Sequence, residues 1–526
     1  MSRWELGTIN KLARRKSICA IAGLILAMIA LDRFIQSPSL DEIRAIEFMK
    51  QWCRIRRLRV DWEQMLKPCK GHLAWEGKLR EREHEFRTDP DGSYISLWDI
   101  RPCGEFSRLS IRTVTKTGNE KKIGGDSWRV QLKGPASVAG TVFDHMNGTY
   151  EVVFLITEPG DYQVEATLDH SLCDGFTDPP PNWFVIGNAQ GKNQEEGVLG
   201  PAKRGLERTY ILKPLRYGNP IWISIRPVPL GEEPLYKVVQ SVGSRFDLSC
   251  GIKCNFLWDG FGNWVSGNQG SLRWKPFITA DDVDRHSSLN PSLLRPDSVL
   301  WIYGDSVSEQ FFWGIRPRPL CTNVFKWCGH TYNWIYQLKG NLSAAKIADD
   351  HLDFSYMRVA SEVLDIISKP LFDKNSAILL NAGLHYLEST NFSNYQKTVD
   401  SLIRLFDETR MVRRANGKSL FPGEMIWRTT TALNKQKLDA KHIQARRFLT
   451  YQQRVLLFNA YATSAMCQAN VPVIDVHPLT DSYPHGTGKP SRPRDAVHYE
   501  HFVFESAERV LENYFYKTYK SDKMLF

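Results

Sequence analysis

The sequence predicts an α/β protein in three parts: a single N-terminal apolar helix, an antiparallel β-sandwich, and a larger domain built on a parallel sheet flanked by helices. Three observations carry this. An uncharged run, 18–31, follows Arg14, Arg15 and Lys16. From about Trp75 to Cys173, short alternating segments are broken by turn residues at sandwich-like spacing. From Ser298 onward, buried-strand runs alternate with helical periodicity. The 526 residues, 42% apolar and 24% charged, have material for more than one core, and a mean hydropathy of −0.36 excludes a polytopic membrane protein.

The apolar run is short for a spanning helix, which needs about 17–25 residues, but Phe34 and Ile35 extend it past Asp32 and Arg33 to give a helix over 18–36. A cleaved signal peptide or a buried helix is the alternative. Against cleavage, Met28 would hold the −3 position of a cut after Ala30. The N-terminal basic flank predicts a cytosolic tail, 1–17, and a lumenal remainder: a type II single-pass protein of the Golgi or another secretory membrane, or a secreted protein if the segment is cleaved. The formal charge is +10. The tail carries five basic residues and one acidic, so +6 is left for everything after it. A stem over 37–74 holds Lys50, Arg54, Arg56, Arg57 and Arg59, which are read as a solvated surface or as a contact for acidic glycans or phospholipid. No nucleic-acid motif accompanies the basic residues.

Nine cysteines lie beyond the anchor, and in an oxidising lumen they are disulfide candidates. The odd number leaves one thiol over, and Cys53, near the anchor, is the candidate for a bridge between two chains. Zinc at Cys250/Cys254, or at Cys321/Cys328 with His330, is the weaker reading because paired C-x-x-C knuckles are missing, so no metal is expected. Asn147, Asn341 and Asn391 head glycosylation sequons.

In the sandwich, 75–175, residues 128–132 alternate in and out, Asn147-Gly148 turns before 150–154, and Pro159-Gly160 turns before 162–166. The stretches GGDSWRV, KGP, VFDHMNGTYEVVF and EPGDYQVEATL resemble, in that order, a filamin-type immunoglobulin-like repeat, which implies a binding or spacing module. Residues 176–240, Pro-, Gly- and Asn-rich, read as a linker or insertion. The last domain, 241–526, carries strands at 299–303, 377–380, 425–427 and 471–475, a short helix at 307–313, and helices through 399–406 and 448–466. Parallel sheets place their sites at the carboxyl ends of the strands.

Gly304-Asp305-Ser306 stands at such an end and opens a helix, where a hydroxyl meets backbone N–H groups and the positive helix terminus. Capping is the bland alternative. Near the C-terminus, Asp495-Ala-Val-His498 spaces a carboxylate and an imidazole so that one turn holds both; His501 lacks an aspartate at that offset. Together with 256–260, 262–264, Asn381-Ala-Gly-Leu-His385 and Trp427-Arg-Thr-Thr-Thr431, the order resembles the SGNH/GDSL hydrolases, more narrowly the PC-esterase branch, and with the sandwich in front the neurexophilin and PC-esterase domain family.

That resemblance implies Ser306 as nucleophile, His498 as general base and acid, Asp495 as the orienting carboxylate, and Asn381 or Gly383 beside the Ser306 N–H in an oxyanion hole. Arg428 and His385 are substrate-binding candidates, Arg428 equally a strand-end salt bridge. The implied activity is transfer or hydrolysis of an acyl group on a glycan of a secretory glycoprotein, through an acyl-serine. No cofactor is bound, and an acyl donor such as acetyl-CoA serves as co-substrate. The alternative is a neurexophilin-like binding glycoprotein that meets a protein partner through its sandwich and keeps the esterase fold as a scaffold.

Overall fold

The computed structural model describes residues 40–71, 73, 84–178, 210–241, 249–267, 271–277, 295–333, 356–412, 417, 419–434, 452–488 and 495–524. The predicted anchor, the tail and Asn341 lie outside these residues. Among the described residues no helix is long and apolar enough to cross a membrane.

The stem begins with a docked helix. In α1 (Leu40–Leu58) the apolar residues Ala45, Phe48, Met49, Trp52 and Ile55 recur at the three- and four-residue spacing that makes one face. That face is buried in the sandwich core, where Phe48 meets Phe106 at 4.8 Å and Trp52 meets Phe261 at 5.5 Å. Each large side chain so buried stabilises by about 1.5–3 kcal/mol. Four of the five basic residues are therefore anchors, while Lys50 stays exposed beside Glu47. Arg54 donates to Glu151 at 2.6 Å, Arg57 to the Cys250 carbonyl at 3.0 Å, and Arg56 and Arg59 pair with Asp259 and Asp475 at 3.7 and 3.4 Å. A short helix α2 (Trp62–Leu66) follows.

Two antiparallel sheets form the sandwich. One has the order β1-β2-β6-β5, from β1 (Thr88–Asp99), β2 (Phe106–Thr115), β5 (Thr141–Asp144) and β6 (Thr149–Leu155). The other centres on β3 (Ser127–Lys133), β4 (Ala136–Ala139) and β7 (Gly160–His170). The alternation predicted around Trp128 holds along β3, whose Trp128, Val130 and Leu132 point into the core.

The second sheet extends beyond the expected domain in both directions. β8 (Tyr210–Pro214) and β9 (Ile221–Ile225), read from sequence as linker, both pair with β7. Helix α3 (Leu235–Ser241) then packs against α1. After β10 (Phe256–Trp258), the hairpin of β11 (Gly262–Ser266) and β12 (Leu272–Pro276), expected to belong to the last domain, pairs through β11 with β4. Mixed composition hid these strands, because edge strands need only one apolar face.

The second domain is a six-stranded, wholly parallel sheet. Its elements in chain order are β10, β13 (Arg295–Gly304), α4 (Ser306–Ile315), β14 (Phe325–Tyr332), α5 (Tyr356–Ile367), β15 (Ala377–Leu380), α6 (Leu384–Ser389), α7 (Phe392–Met411), β16 (Glu424–Arg428), α8 (Gln452–Gln468), β17 (Val473–Ile474), α9 (His477–Asp481) and α10 (Glu505–Met524). The strand order β10-β17-β16-β15-β13-β14 makes β13 the point where the chain crosses from one side of the sheet to the other. That is where open α/β sheets form clefts. The four predicted strands are present; β10 and β14 are additional, and the run at 471–475 shrinks to the two residues of β17.

Four disulfides fasten these parts: Cys53–Cys250, Cys69–Cys173, Cys254–Cys467 and Cys321–Cys328. The leftover thiol is Cys103, buried in the sandwich. Cys53 is thus tied within its own chain, which corrects the expected intermolecular bridge, and the cysteines of both zinc readings are oxidised. Arg454, fully buried on α8, donates to the carbonyls of Thr177 and Thr390 and to Asp178, joining the exit of the sandwich to the parallel-sheet domain.

Candidate active site

The Gly304-Asp305-Ser306 turn is shaped by what lies beneath it. Gly304 ends β13, and a Cβ there would stand 1.9 Å from the Ser308 hydroxyl, so only glycine fits. Asp305, not Ser306, caps α4: its Oδ1 accepts the N–H groups of Val307 and Ser308 at 3.0 and 3.2 Å. Its Oδ2 accepts the Leu384 N–H at 3.3 Å, tying the turn to the loop after β15. Ser306 is therefore released from capping, half-buried, at the first position of a ten-residue helix.

His498 arrives from the far end of the chain. Its Nε2 lies 2.7 Å from Ser306 Oγ, and its Nδ1 lies 2.7 Å from Asp495 Oδ2. The other Asp495 oxygen accepts the N–H groups of Val497 and His498 at 2.9 and 3.0 Å, so the carboxylate folds its own turn. Burial pushes Asp495 upward, but the bonds from the His498 ring and from the two backbone N–H groups outweigh it and hold the carboxyl well below the usual range. An ionised Asp495 accepts a hydrogen bond from Nδ1–H, which fixes the tautomer and leaves Nε2 to accept from the serine. The turn is stitched in place: Asn434 N–H donates to the Ala496 carbonyl at 3.0 Å, Gly488 N–H to the His498 carbonyl at 2.7 Å, and the buried Tyr499 hydroxyl to the Ala432 carbonyl at 2.8 Å.

The remaining predicted residues separate. Gly383 precedes α6, and a Cβ on it would lie 2.1 Å from Thr430 Oγ1, which explains the glycine. The N–H groups of Ser306 and Gly383 make no hydrogen bond among the described residues, which leaves them open to an oxyanion. Asn381 does not share that freedom. Its side-chain amide donates to the Arg428 carbonyl at 3.0 Å and to Thr430 Oγ1 at 3.2 Å, so it is committed to joining two strand ends. Arg428 is buried at the end of β16 and donates to Ser308 Oγ at 2.6 Å, bracing the first turn of α4 from below; it forms no ion pair among the described residues. His385 is buried, with Nε2 at 3.0 Å from the Tyr332 hydroxyl.

Two other histidines have different surroundings. Burial pushes His330 down to about 4, so it is neutral, stacked 5.7 Å from Phe312. His501 packs onto Gly314, where a Cβ would stand 1.7 Å from its ring, and sits 3.7 Å from Glu508. Sequence reasoning missed Asp305 as the cap and Thr430 and Tyr332 as supports. Asp305 had a readable signal, an acidic residue just ahead of a helix; the other two come from remote strands that only the sheet brings close.

Asn147 is exposed in the turn between β5 and β6, while the Asn391 side-chain oxygen caps α7 by accepting the Asn394 N–H at 2.8 Å.

Compared with known protein families, residues 88–175 match the model of the filamin/ABP280 repeat. The match spans the sandwich from β1 past the end of β7, which makes this part of the chain a filamin-type, immunoglobulin-like module.

Proposed function

We propose that this protein is a serine-dependent acyltransferase or esterase of the SGNH/PC-esterase type. The observation that carries the proposal is the chain of two 2.7 Å contacts, Ser306 to His498 to Asp495, at the switch point of a parallel sheet. In the mechanism, His498 Nε2 takes the Ser306 proton while Oγ attacks an acyl carbonyl. The tetrahedral oxyanion is received by the Ser306 and Gly383 N–H groups at the start of α4 and α6. The imidazolium then gives its proton to the departing group, leaving an acyl-serine. An acceptor hydroxyl, deprotonated by the same His498, attacks the acyl-serine and frees Ser306; a sugar hydroxyl makes the reaction a transfer and water makes it a hydrolysis. We place the protein in a secretory compartment, where the disulfides would persist. Acetyl-CoA or another acyl donor is the co-substrate and a glycan the acceptor.

The module at 88–175 supports a second reading, a binding glycoprotein whose second domain is a scaffold. A fluorophosphonate probe separates the two. The enzyme reading expects labelling of the wild-type chain that disappears in Ser306→Ala; a wild-type chain that stays unlabelled overturns it.

A further inference from the structure

The sandwich does more than stand beside the triad. A cleft of about 230 Å³ opens between its outer face and the segments around Asn434 and His485, with Tyr499 beside them. One wall is the outer surface of β3 and β7, with Gln131, Lys133 and Glu165; the other holds Asn434, His485 and Tyr499. Tyr499 follows His498 in the chain, and the Asn434 N–H holds the Ala496 carbonyl, so the second wall is continuous with the triad's own turn. The walls are also fixed to each other. Gln131 Nε2 donates to the Asp481 carbonyl at 2.7 Å, Ser137 Oγ to the Ser482 carbonyl at 2.8 Å, and the Ser482 hydroxyl accepts the Ala139 N–H at 3.1 Å.

The chemistry of the cleft is mixed and charge-balanced. Lys133 and Glu165 form a part-exposed pair at 2.7 Å across β3 and β7, and Arg129 is paired with Asp169 at 3.2 Å. Paired charges offer donors and acceptors together without a net field that would select an ion. The hydroxyls of a sugar both donate and accept, and its C–H faces pack on rings such as His485.

We infer that this cleft is an acceptor subsite that binds a single saccharide unit beside Tyr499, next along the chain from His498, and that the filamin-type sandwich contributes one wall of it; Ser306 and His498 themselves lie outside its lining. The inference rests on the enzymatic reading for its role, but the binding stands or falls separately. The sandwich is then a specificity element, and changing its β3/β7 face alters which sugar is presented.

The test uses the full chain with Ser306→Ala, so that nothing turns over, and methyl glycosides of galactose, N-acetylhexosamines and sialic acid as probes in saturation-transfer NMR. Lys133→Ala with Glu165→Ala removes an exposed pair whose stability contribution is small. His485→Ala tests the opposite wall. The expected result is binding of at least one glycoside to the parent chain, with Kd raised about tenfold by either change, on the order of one good hydrogen bond lost. Binding by none of the probes, or binding that survives both changes, overturns the subsite. In the catalytically intact chain the same changes should raise KM for the glycan more than they change kcat. A chain that binds glycosides through these residues but never labels at Ser306 overturns the chemistry and keeps the site.

Discussion

Lys121 in the sandwich and Arg428 beneath the serine turn are both buried cations, and the two are treated differently. In the sandwich, Lys121 lies 2.7 Å from Asp126, and Thr88 and Ser171 complete the network, so charge and hydrogen-bonding capacity are both met. Beneath the serine turn, Arg428 is as deeply buried but makes one hydrogen bond to Ser308; its Nη1, the Nε2 of His330 and the Oδ1 of Asn381 have no hydrogen-bond partner among the described residues. A satisfied network holds a fold together, whereas incompletely satisfied groups gathered at a strand end mark a place where the chain gives up stability for arrangement. The difference separates the network that holds the sandwich together from the one that underlies the serine turn.

Mutations should break that comparison in opposite ways. The largest effect is expected from Asp495→Asn, which removes the carboxylate that accepts the Nδ1–H bond: kcat for acyl transfer falls by about 10³–10⁴, far more than the accompanying loss of stability at neutral pH accounts for. Next, Lys121→Ala leaves Asp126 buried without its partner. Chemical denaturation should show a loss of about 3–5 kcal/mol, with kcat per folded molecule unchanged. Arg428→Gln should do the reverse. Ser308 keeps a donor, so stability changes by less than in Lys121→Ala, but the helix bearing Ser306 loses its brace and kcat drops about 10–100-fold.

Two further measurements sharpen the picture. Replacing Cys53 and Cys250 together by alanine frees α1 from the loop ahead of β10 and should lower stability by about 2–5 kcal/mol without producing or abolishing a dimer on a non-reducing gel. Asp495 gives the smallest effect and the one that depends on pH. Its carboxyl is held below the ordinary value near 3.9, so its contribution to stability is present above about pH 4 and is lost as pH falls through the depressed folded value. The stability gap between wild type and Asp495→Asn should therefore shrink on acidification; a gap that grows below pH 4 contradicts the assigned hydrogen bonds.

Several features were legible before any coordinates. The alternation at 128–132, the turns at Asn147-Gly148 and Pro159-Gly160, and the four strands ahead of the motifs all come from local periodicity, which side-chain burial obeys within a few residues. The pairing of Asp495 with His498 was legible for the same reason, since a three-residue offset is a local geometry. The stem was misread because charge was counted without asking which face carried it: Arg54, Arg56 and Arg57 share a helix with Phe48 and Trp52, Arg59 follows its end, and the counter-charges of Arg54, Arg56 and Arg59 are on Glu151, Asp259 and Asp475, far along the chain. The strands β8, β9, β11 and β12 were missed because pairing is decided by the neighbouring strand and not by the segment itself.

The sequence by itself determined the two-domain plan, the serine at the strand end and the carboxylate–imidazole pair that the fold brings to it, and the fact that one of nine cysteines beyond the apolar run would stay unpaired. Tertiary structure alone decided which cysteine that was, that Asn381 and Arg428 serve the framework under the serine, and that the sandwich shares a cleft with Tyr499, the neighbour of His498. The physical reason is range. Periodicity, capping and turn chemistry act over three or four residues, whereas disulfide partners, orphaned polar groups and clefts depend on segments hundreds of residues apart, brought together only when the cores close.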